Sequence, residues 1–376
     1  MYKILVCGMS DYPGGIESFI MNYYRKLNSE KMHFDFLKLF PQPLAYTDEI
    51  KQGNGKIYSL ELPSQHKHPI QYNKKLDDFF SNIAGKYDCI WLNCVSLANI
   101  SLVKMAKKYK FPKIIVHSHS SQNNLETTNK LLYESVSLRH NLNKQRIKKY
   151  ATDFWACSEV AGKYFYPKSL IPKVKIIKNA INFSEFSFNI TKRNMLQQKY
   201  QINNEIVIGN VGRLNFPKNQ ILAVRISKKL KEMGVNAKLV LVGDGVDKKM
   251  LKDESIRLGI KEDVLFVGTQ SDMQAWYSLF DIFLFTSLSE GLPLVGVEAQ
   301  TNGLPVLAME GILPENSIIN NNVVTLSRDT DLEKWAKEII SLINKKRVPT
   351  DKIKANLKKS GFDVDVASNE MRKLLL

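Results

Sequence analysis

The chain is predicted to fold as an α/β protein with two doubly wound parallel-sheet domains, and three observations predict it. Short apolar runs alternate with longer helical stretches, the signature of a parallel sheet covered by helices on both faces. That alternation stops near residue 183 and starts again at Ile206. The 376 residues also exceed what one ordinary hydrophobic core organises.

In chain order, the first set of strands is read at Lys3–Gly8, Phe34–Phe40, Cys89–Asn93, Lys113–His117 and Phe154–Cys157. The second set is read at Ile206–Val211, Ala237–Val242, Val264–Val267, Ile282–Phe285 and Val306–Ala308. Between the sets, 183–204 is polar without apolar periodicity and reads as the connector. The domains are accordingly placed at 1–184 and 185–362. A terminal helix, with Val366, Met371, Leu374 and Leu375 on one stripe, is assigned to the first domain as residues 363–376. Asp363 and Asp365 read as compensation of that helix's N-terminal dipole, not as a metal pair.

Hydrophobic content of 44% and charged content of 24% are those of a globular chain. No apolar run approaches the roughly 20 residues that span a bilayer. Met1–Gly8 reads as a first strand, too short for a signal peptide, so a cytoplasmic location is expected. Cys7, Cys89, Cys94 and Cys157 lack the partners of a zinc site and read as small buried residues.

The formal net charge is +17, unevenly spread. Residues 1–186 carry 27 Lys+Arg against 15 Asp+Glu, whereas 187–376 carry 27 against 22. Basic clusters fall at Lys104–Lys110 and at 139–149, where Lys144, Arg146, Lys148 and Lys149 crowd one helix. Such a face suits anionic lipid or nucleic acid, and a lysine-rich solvated surface is the plainer alternative.

The motifs that carry chemistry stand at strand ends. Gly8 to Glu17, G-M-S-D-Y-P-G-G-I-E, follows the first strand and opens a helix, where Gly14 and Gly15 allow a ligand close to the backbone. It is not the dinucleotide-binding glycine pattern. Ile114 to Ser120, I-I-V-H-S-H-S, places His117 and His119 on one side of a strand end, suited to hydrogen-bonding a substrate or to a structural role. Gly209 to Asn219, G-N-V-G-R-L-N-F-P-K-N, ends the first strand of the second set. Arg213 and Lys218 there are spaced to grip a diphosphate. Gly243 marks a further turn in V-G-D-G.

The most informative segment is Ser289 to Ala308, S-E-G-L-P-L-V-G-V-E-A-Q-T-N-G-L-P-V-L-A. It reads as a glycine loop, a helix and a strand, with Glu290 and Glu298 separated by seven residues. The loop offers backbone N–H groups and a positive helix end to phosphate. The two acids can accept from hydroxyls on either side of it, as in a nucleotide sugar.

Together these segments resemble the retaining glycosyltransferases of family four, bacterial capsular and exopolysaccharide enzymes among them, over nearly the whole chain. G-G-x-E (Gly14, Gly15, Glu17), V-K-I-I-K-N-A-I-N (174–182), G-R-L…K-N (Gly212, Arg213, Leu214, Lys218, Asn219) and E-G-L-P-L-V-G-V-E (Glu290 to Glu298) carry the resemblance in order. The third segment departs from the family's I-P-N-G-I-D linker at Lys178, Ala180 and Asn182.

The resemblance implies the GT-B fold, two Rossmann-like domains facing across a cleft. It assigns catalytic roles to His117, His119, Arg213, Lys218 and Glu290, with either histidine at the transferring sugar. Donor contacts fall to Gly14, Gly15, Gly212, Arg213, Lys218, Gly243, Gly291, Leu292, Pro293, Leu294, Val295 and Glu298. Glu298 reads the ribose, Glu290 the sugar, and Glu17 lies on the acceptor side. Without an acidic metal motif, no cofactor or metal is expected.

The expected reaction moves a hexose or N-acetylhexosamine from a nucleotide sugar, UDP being the expected nucleotide, to a lipid-linked glycan for surface polysaccharide. The expected enzyme is peripheral at the inner face of the plasma membrane, held through its basic first half. The alternatives are a UDP-sugar epimerase of the same fold and a basic nucleic-acid binder. The second is disfavoured because only Tyr109 and Tyr150 interleave with the basic runs, so no nucleic acid is expected as partner.

Overall fold

The computed structural model describes residues 1–123, 125, 129–288, 290 and 294–376. The chain divides into two compact units, residues 1–180 with 364–376 and residues 181–363.

In the first unit, seven parallel strands are β1 Tyr2–Cys7, β2 Met32–Lys38, β3 Ile57–Ser59, β4 Cys89–Cys94, β5 Lys113–Ser118, β6 Asp153–Ala156 and β7 Lys175–Ile176. They lie in the order β3-β2-β1-β4-β5-β6-β7. The central strands read as near-continuous apolar runs because both faces are covered. Ile4, Val6, Trp91 and Ile115 pack on one side, Leu5, Ile90, Leu92 and Ile114 on the other. The terminal helix Val364–Leu375 packs on the helix Gly15–Leu27 of this unit through Val364, Ala367, Met371 and Leu375. Asp365, in its first turn, pairs with Lys26 at 2.6 Å.

The second unit repeats the plan with six parallel strands: β8 Ile206–Val211, β9 Ala237–Val242, β10 Val264–Gly268, β11 Ile282–Phe285, β12 Val306–Met309 and β13 Val323–Leu326. Their order is β10-β9-β8-β11-β12-β13. In each sheet the order reverses once, between β1 and β4 and between β8 and β11. Carboxyl ends at such a switch point are where open α/β sheets bind ligands.

The polar stretch 183–204, expected as a connector without apolar periodicity, holds the helices Phe183–Phe186 and Ile190–Tyr200. The longer one has no fully buried residue, so it lacks the apolar stripe that periodicity detects. It is held by its ends and its flank. Asn189 caps it by accepting from Lys192 N at 3.0 Å, and Arg193 donates to the carbonyls of Ser278 and Leu279 at 3.1 and 2.9 Å. Among the described residues no helix is long and apolar enough to cross a membrane.

Candidate functional site

Both switch points gather sequence-predicted residues. In the first unit β1 ends at Gly8, whose φ of +102° only glycine adopts readily, and a Cβ there would lie 2.0 Å from Asn93 O. Asn93, on the neighbouring β4, ties the two strand ends together by donating to Cys7 O at 3.2 Å. Its Oδ1 lies 2.9 Å from His119 Nε2.

His117 and His119 stand with ring centres 4.2 Å apart, and the Phe19 ring, from the glycine-loop helix, lies 5.0 Å from each. The histidines and the glycine loop are thus brought together. Their exposures differ: His117 is fully buried, whereas His119 is half-buried. Trp91 Nε1, which can only donate, points at His117 Nδ1 from 3.3 Å. The neutral ring therefore carries its proton on Nε2, which has no hydrogen-bond partner among the described residues. Burial holds His117 well below the usual histidine range and pushes His119 down to about 3, with His119 a further lowering influence on His117.

Glu17, expected from sequence on the acceptor side, is buried. It accepts from Ser10 N at 2.8 Å and from Gly14 N at 3.1 Å, one amide on each carboxylate oxygen. It fixes the loop as the chain enters the helix. Gly15 has open space where a Cβ would stand, while at Gly14 that Cβ would meet Glu17 Oε2 at 2.9 Å.

In the second unit three adjacent strands end in glycines. Gly212 N donates to Val242 O and Gly243 N to Gly268 O, both at 2.9 Å. Gly243 has φ +135°, and a Cβ on it would fall 2.1 Å from Gly212 O. This close approach fixes the loop carrying Arg213, an exposed residue whose carbonyl accepts from Gln220 Nε2 at 3.0 Å. The chain then makes a single 3-10 turn, Phe216–Lys218, and enters the helix Gln220–Glu232 through Asn219 at φ +52°.

The Lys218 turn is tied to the segment after β11. Thr286 Oγ1 donates to Lys218 O at 3.1 Å, Asn219 Nδ2 to Thr286 O at 3.3 Å, and Leu288 N to Pro217 O at 2.8 Å. Lys218 Nζ then pairs with Glu290 Oε1. Residues 72 positions apart in sequence are in this way made into one ion pair.

Gly291, Leu292 and Pro293 lie outside the described residues. The helix Leu294–Thr301 begins with a buried Leu294 and continues with half-buried Val295 and Glu298. Tyr277 donates its hydroxyl to Glu298 Oε2 at 2.7 Å. Burial pushes the Glu298 carboxyl up to about 7, opposed by the Tyr277 hydrogen bond and reinforced by Glu185.

Tyr277 and Arg347 were not legible from sequence. Tyr277 is fully buried, with its ring 5.9 Å from those of Phe280 and Phe283. Arg347 donates to Asn302 O and Ser278 O at 3.2 Å and to Phe280 O, with its guanidinium 4.5 Å from the Phe188 ring centre. It braces the end of the helix Met273–Leu279 that carries Tyr277.

This arrangement can hold a phosphorylated ligand, with Arg213 and Lys218 for the charge and Glu290 and Glu298 for hydroxyls. Residues 192–361 match the family described as glycosyl transferases group 1. That match lies within the second unit, and the chain is a glycosyltransferase. Over 358 residues it is 27% identical to the putative glycosyltransferase EpsF of Bacillus subtilis, covering 93% of this chain and 90% of that protein. It is 26% identical over 253 residues to the UDP-Gal:alpha-D-GlcNAc-diphosphoundecaprenol alpha-1,3-galactosyltransferase of Escherichia coli, covering 59% of this chain and 63% of that one. Anabaena Alr3699/HepE, solved in complex with UDP and glucose, superposes with TM-score 0.80 and 17% identity over 100% of this chain and 99% of its own. The two parallel-sheet units are those of the GT-B fold.

Proposed function

We propose that the protein is a metal-independent retaining glycosyltransferase that moves a hexose or N-acetylhexosamine from a UDP-sugar to a lipid-linked glycan in surface polysaccharide biosynthesis. The observation that carries this reading is the pairing of Lys218, after β8, with Glu290, after β11, at the β8/β11 switch point. Arg213 and Lys218 receive the diphosphate, Glu298 accepts from the ribose hydroxyls, and Glu290 exchanges its lysine partner for hydroxyls of the sugar. The complexes of Alr3699/HepE with UDP and glucose, and the lipid diphosphate acceptor in the name of the E. coli relative, support the donor and acceptor classes.

In the reaction the bond between the sugar's anomeric carbon and the β-phosphate oxygen breaks, and its electron pair stays on the phosphate. Arg213 and Lys218 stabilise the charge that develops there. The acceptor hydroxyl bonds to the same face of the anomeric carbon, and its proton passes to the departing phosphate. His119, the more accessible of the two histidines, is assigned to the transferring sugar. We place the enzyme at the inner face of the plasma membrane, where a lipid-linked acceptor is presented.

A thermal-shift series of UDP, GDP and ADP sugars, followed by transfer of labelled sugar with and without EDTA, tests this reading, because a ligand that binds the folded state raises its stability. UDP-sugars should stabilise and turn over with or without chelator. Equal turnover by wild type and an Arg213→Ala/Lys218→Ala variant would remove the site assignment.

A further inference from the structure

The helix Lys130–Arg146 of the first unit is built inside out. Its inward residues are polar. His140 is buried, accepts from Leu97 N at 3.1 Å through Nδ1, and lies 3.3 Å from Tyr164 O through Nε2. Asn143 donates to Leu97 O at 2.7 Å, and Lys144 donates to the carbonyls of Lys163 and Tyr164 at 2.8 and 2.7 Å. Among its outward residues stand three leucines, Leu131 78%, Leu138 61% and Leu142 49% exposed. Separations of seven and four residues align these three on one line along the helix.

The stripe is extended by neighbours. Arg139 reaches His66 Nε2 at 3.1 Å, which ties the loop before the helix Pro69–Ile83 to this helix. Ile70, at that helix's start, is 83% exposed. A soluble surface carries single exposed leucines without consequence, but an aligned set with a polar inner face marks a contact surface.

Charge decides between occupants. Residues 101–150 carry eleven Lys+Arg against two Asp+Glu. Lys67, Lys130, Arg146, Lys148 and Lys149 are all exposed around the stripe, and of the acids Glu134 stands 4.0 Å from Lys130 on the same helix. Two such faces would repel each other, which disfavours a second copy. A nucleic acid has no use for a row of leucines. An anionic lipid surface satisfies both features, since aliphatic side chains enter the acyl boundary while lysine and arginine stay at the headgroups.

We propose that the helix Lys130–Arg146 docks this enzyme on anionic lipid, with Leu131, Leu138, Leu142 and Ile70 inserted and Lys67, Arg139 and Arg146 at the headgroups. This rests on the reading that the acceptor is lipid-borne, and it names the surface that would bring the enzyme to it.

The test is flotation of the full chain with vesicles of phosphatidylcholine alone or with one-third phosphatidylglycerol. Binding is expected only to the anionic vesicles and to weaken with salt. Leu131→Ser/Leu138→Ser/Leu142→Ser should weaken it more than tenfold, and Arg139→Ala/Arg146→Ala several-fold. UDP affinity and transfer to a short-chain, water-soluble acceptor should be unchanged in both variants. Unchanged vesicle affinity in the leucine variant overturns the proposal, as does a wild-type dimer that the leucine variant converts to monomer. Loss of vesicle binding beside intact transfer would leave the reaction standing, whereas a wild type that binds vesicles but no UDP-sugar would sink the proposed reaction and keep the surface.

Discussion

Tyr277 Oη holds Glu298 Oε2 at 2.7 Å, so a fully buried tyrosine presets the carboxylate proposed to read the donor's ribose. One oxygen is spent on the protein and the other is left to the ligand. The bond also favours the ionised acid against burial, which otherwise drives it toward the neutral form.

Donor affinity is accordingly expected to rise with pH through about 7, the value to which Glu298 is pushed, because only the ionised acid accepts from both ribose hydroxyls. Tyr277→Phe removes a hydrogen bond to a charged group, about 1.5–3 kcal/mol, and should move that rise to higher pH while weakening UDP at pH 7 about tenfold. Glu298→Gln should abolish the pH dependence. Stability of the unliganded protein moves the other way. An acid whose folded pKa lies above its unfolded value stabilises fully below the unfolded value, about 4.3 for glutamate, and that contribution is lost as pH rises toward 7. Calorimetric titration with UDP from pH 5.5 to 8.5, with melting curves alongside, checks both directions.

Lys218 and Glu290 neutralise each other before any donor arrives. Lys218→Ala should lower kcat about 10²–10³-fold, the usual cost of removing a charge-stabilising group from a transition state. Glu290→Gln should instead free Lys218 for phosphate, so UDP binds as well or better while transfer of the sugar falls about 100-fold. Equal losses of UDP affinity in the two variants would show that the pair serves only the fold of the loop.

Arg347 is a half-buried cation whose work is structural. Burial, then the nearby Arg193, pushes it down to about 9, with Asp281 opposing. Arg347→Ala leaves several buried carbonyls without their donor, at about 1 kcal/mol or more each, so a loss of about 3 kcal/mol is expected by denaturant titration. Arg347→Lys should recover little, because an ammonium cannot reproduce the planar fork that spans Asn302 and Phe280. UDP affinity should also fall in Arg347→Lys, since the same carbonyls end the helix that carries Tyr277.

How far these residues could be foreseen depends on the physics behind each. Strands buried on both faces announce themselves as apolar runs, and β8, β9 and β11 begin and end where those runs do. Three of the four edge strands do not. Ile57–Ser59, Lys175–Ile176 and Val323–Leu326 are two to four residues long and exposed or only partly buried, so composition gives them no contrast with loop. Arg213, Lys218, Glu290 and Glu298 were visible because strand-end glycines and charged residues recur at characteristic spacings. Tyr277 and Arg347 reach their partners across 21 and 45 residues or more, and nothing local marks a tyrosine as a carboxylate's partner. The polarity of 130–146 was visible as charge, whereas its outward leucines became evident only once His140 was seen to face inward.

His117 and His119 separate a structural role from a functional one within three residues. Trp91 commits His117 Nδ1 as an acceptor inside the core, and both rings are held in the neutral form by burial, His119 down to about 3. Neither should titrate between pH 5 and 8, which nitrogen-resolved NMR of labelled histidine can follow directly. A histidine with a lowered folded pKa binds fewer protons than its unfolded counterpart, so both should cost stability as pH falls below the unfolded value of about 6.5. His117→Ala opens a cavity among Phe19, Trp91 and Trp155 and should cost about 2–4 kcal/mol. His119→Ala, at a half-buried ring bonded to Asn93, should cost less stability and lower kcat more than it changes UDP affinity. A His119→Ala enzyme with wild-type kcat would return the ring to a purely structural part.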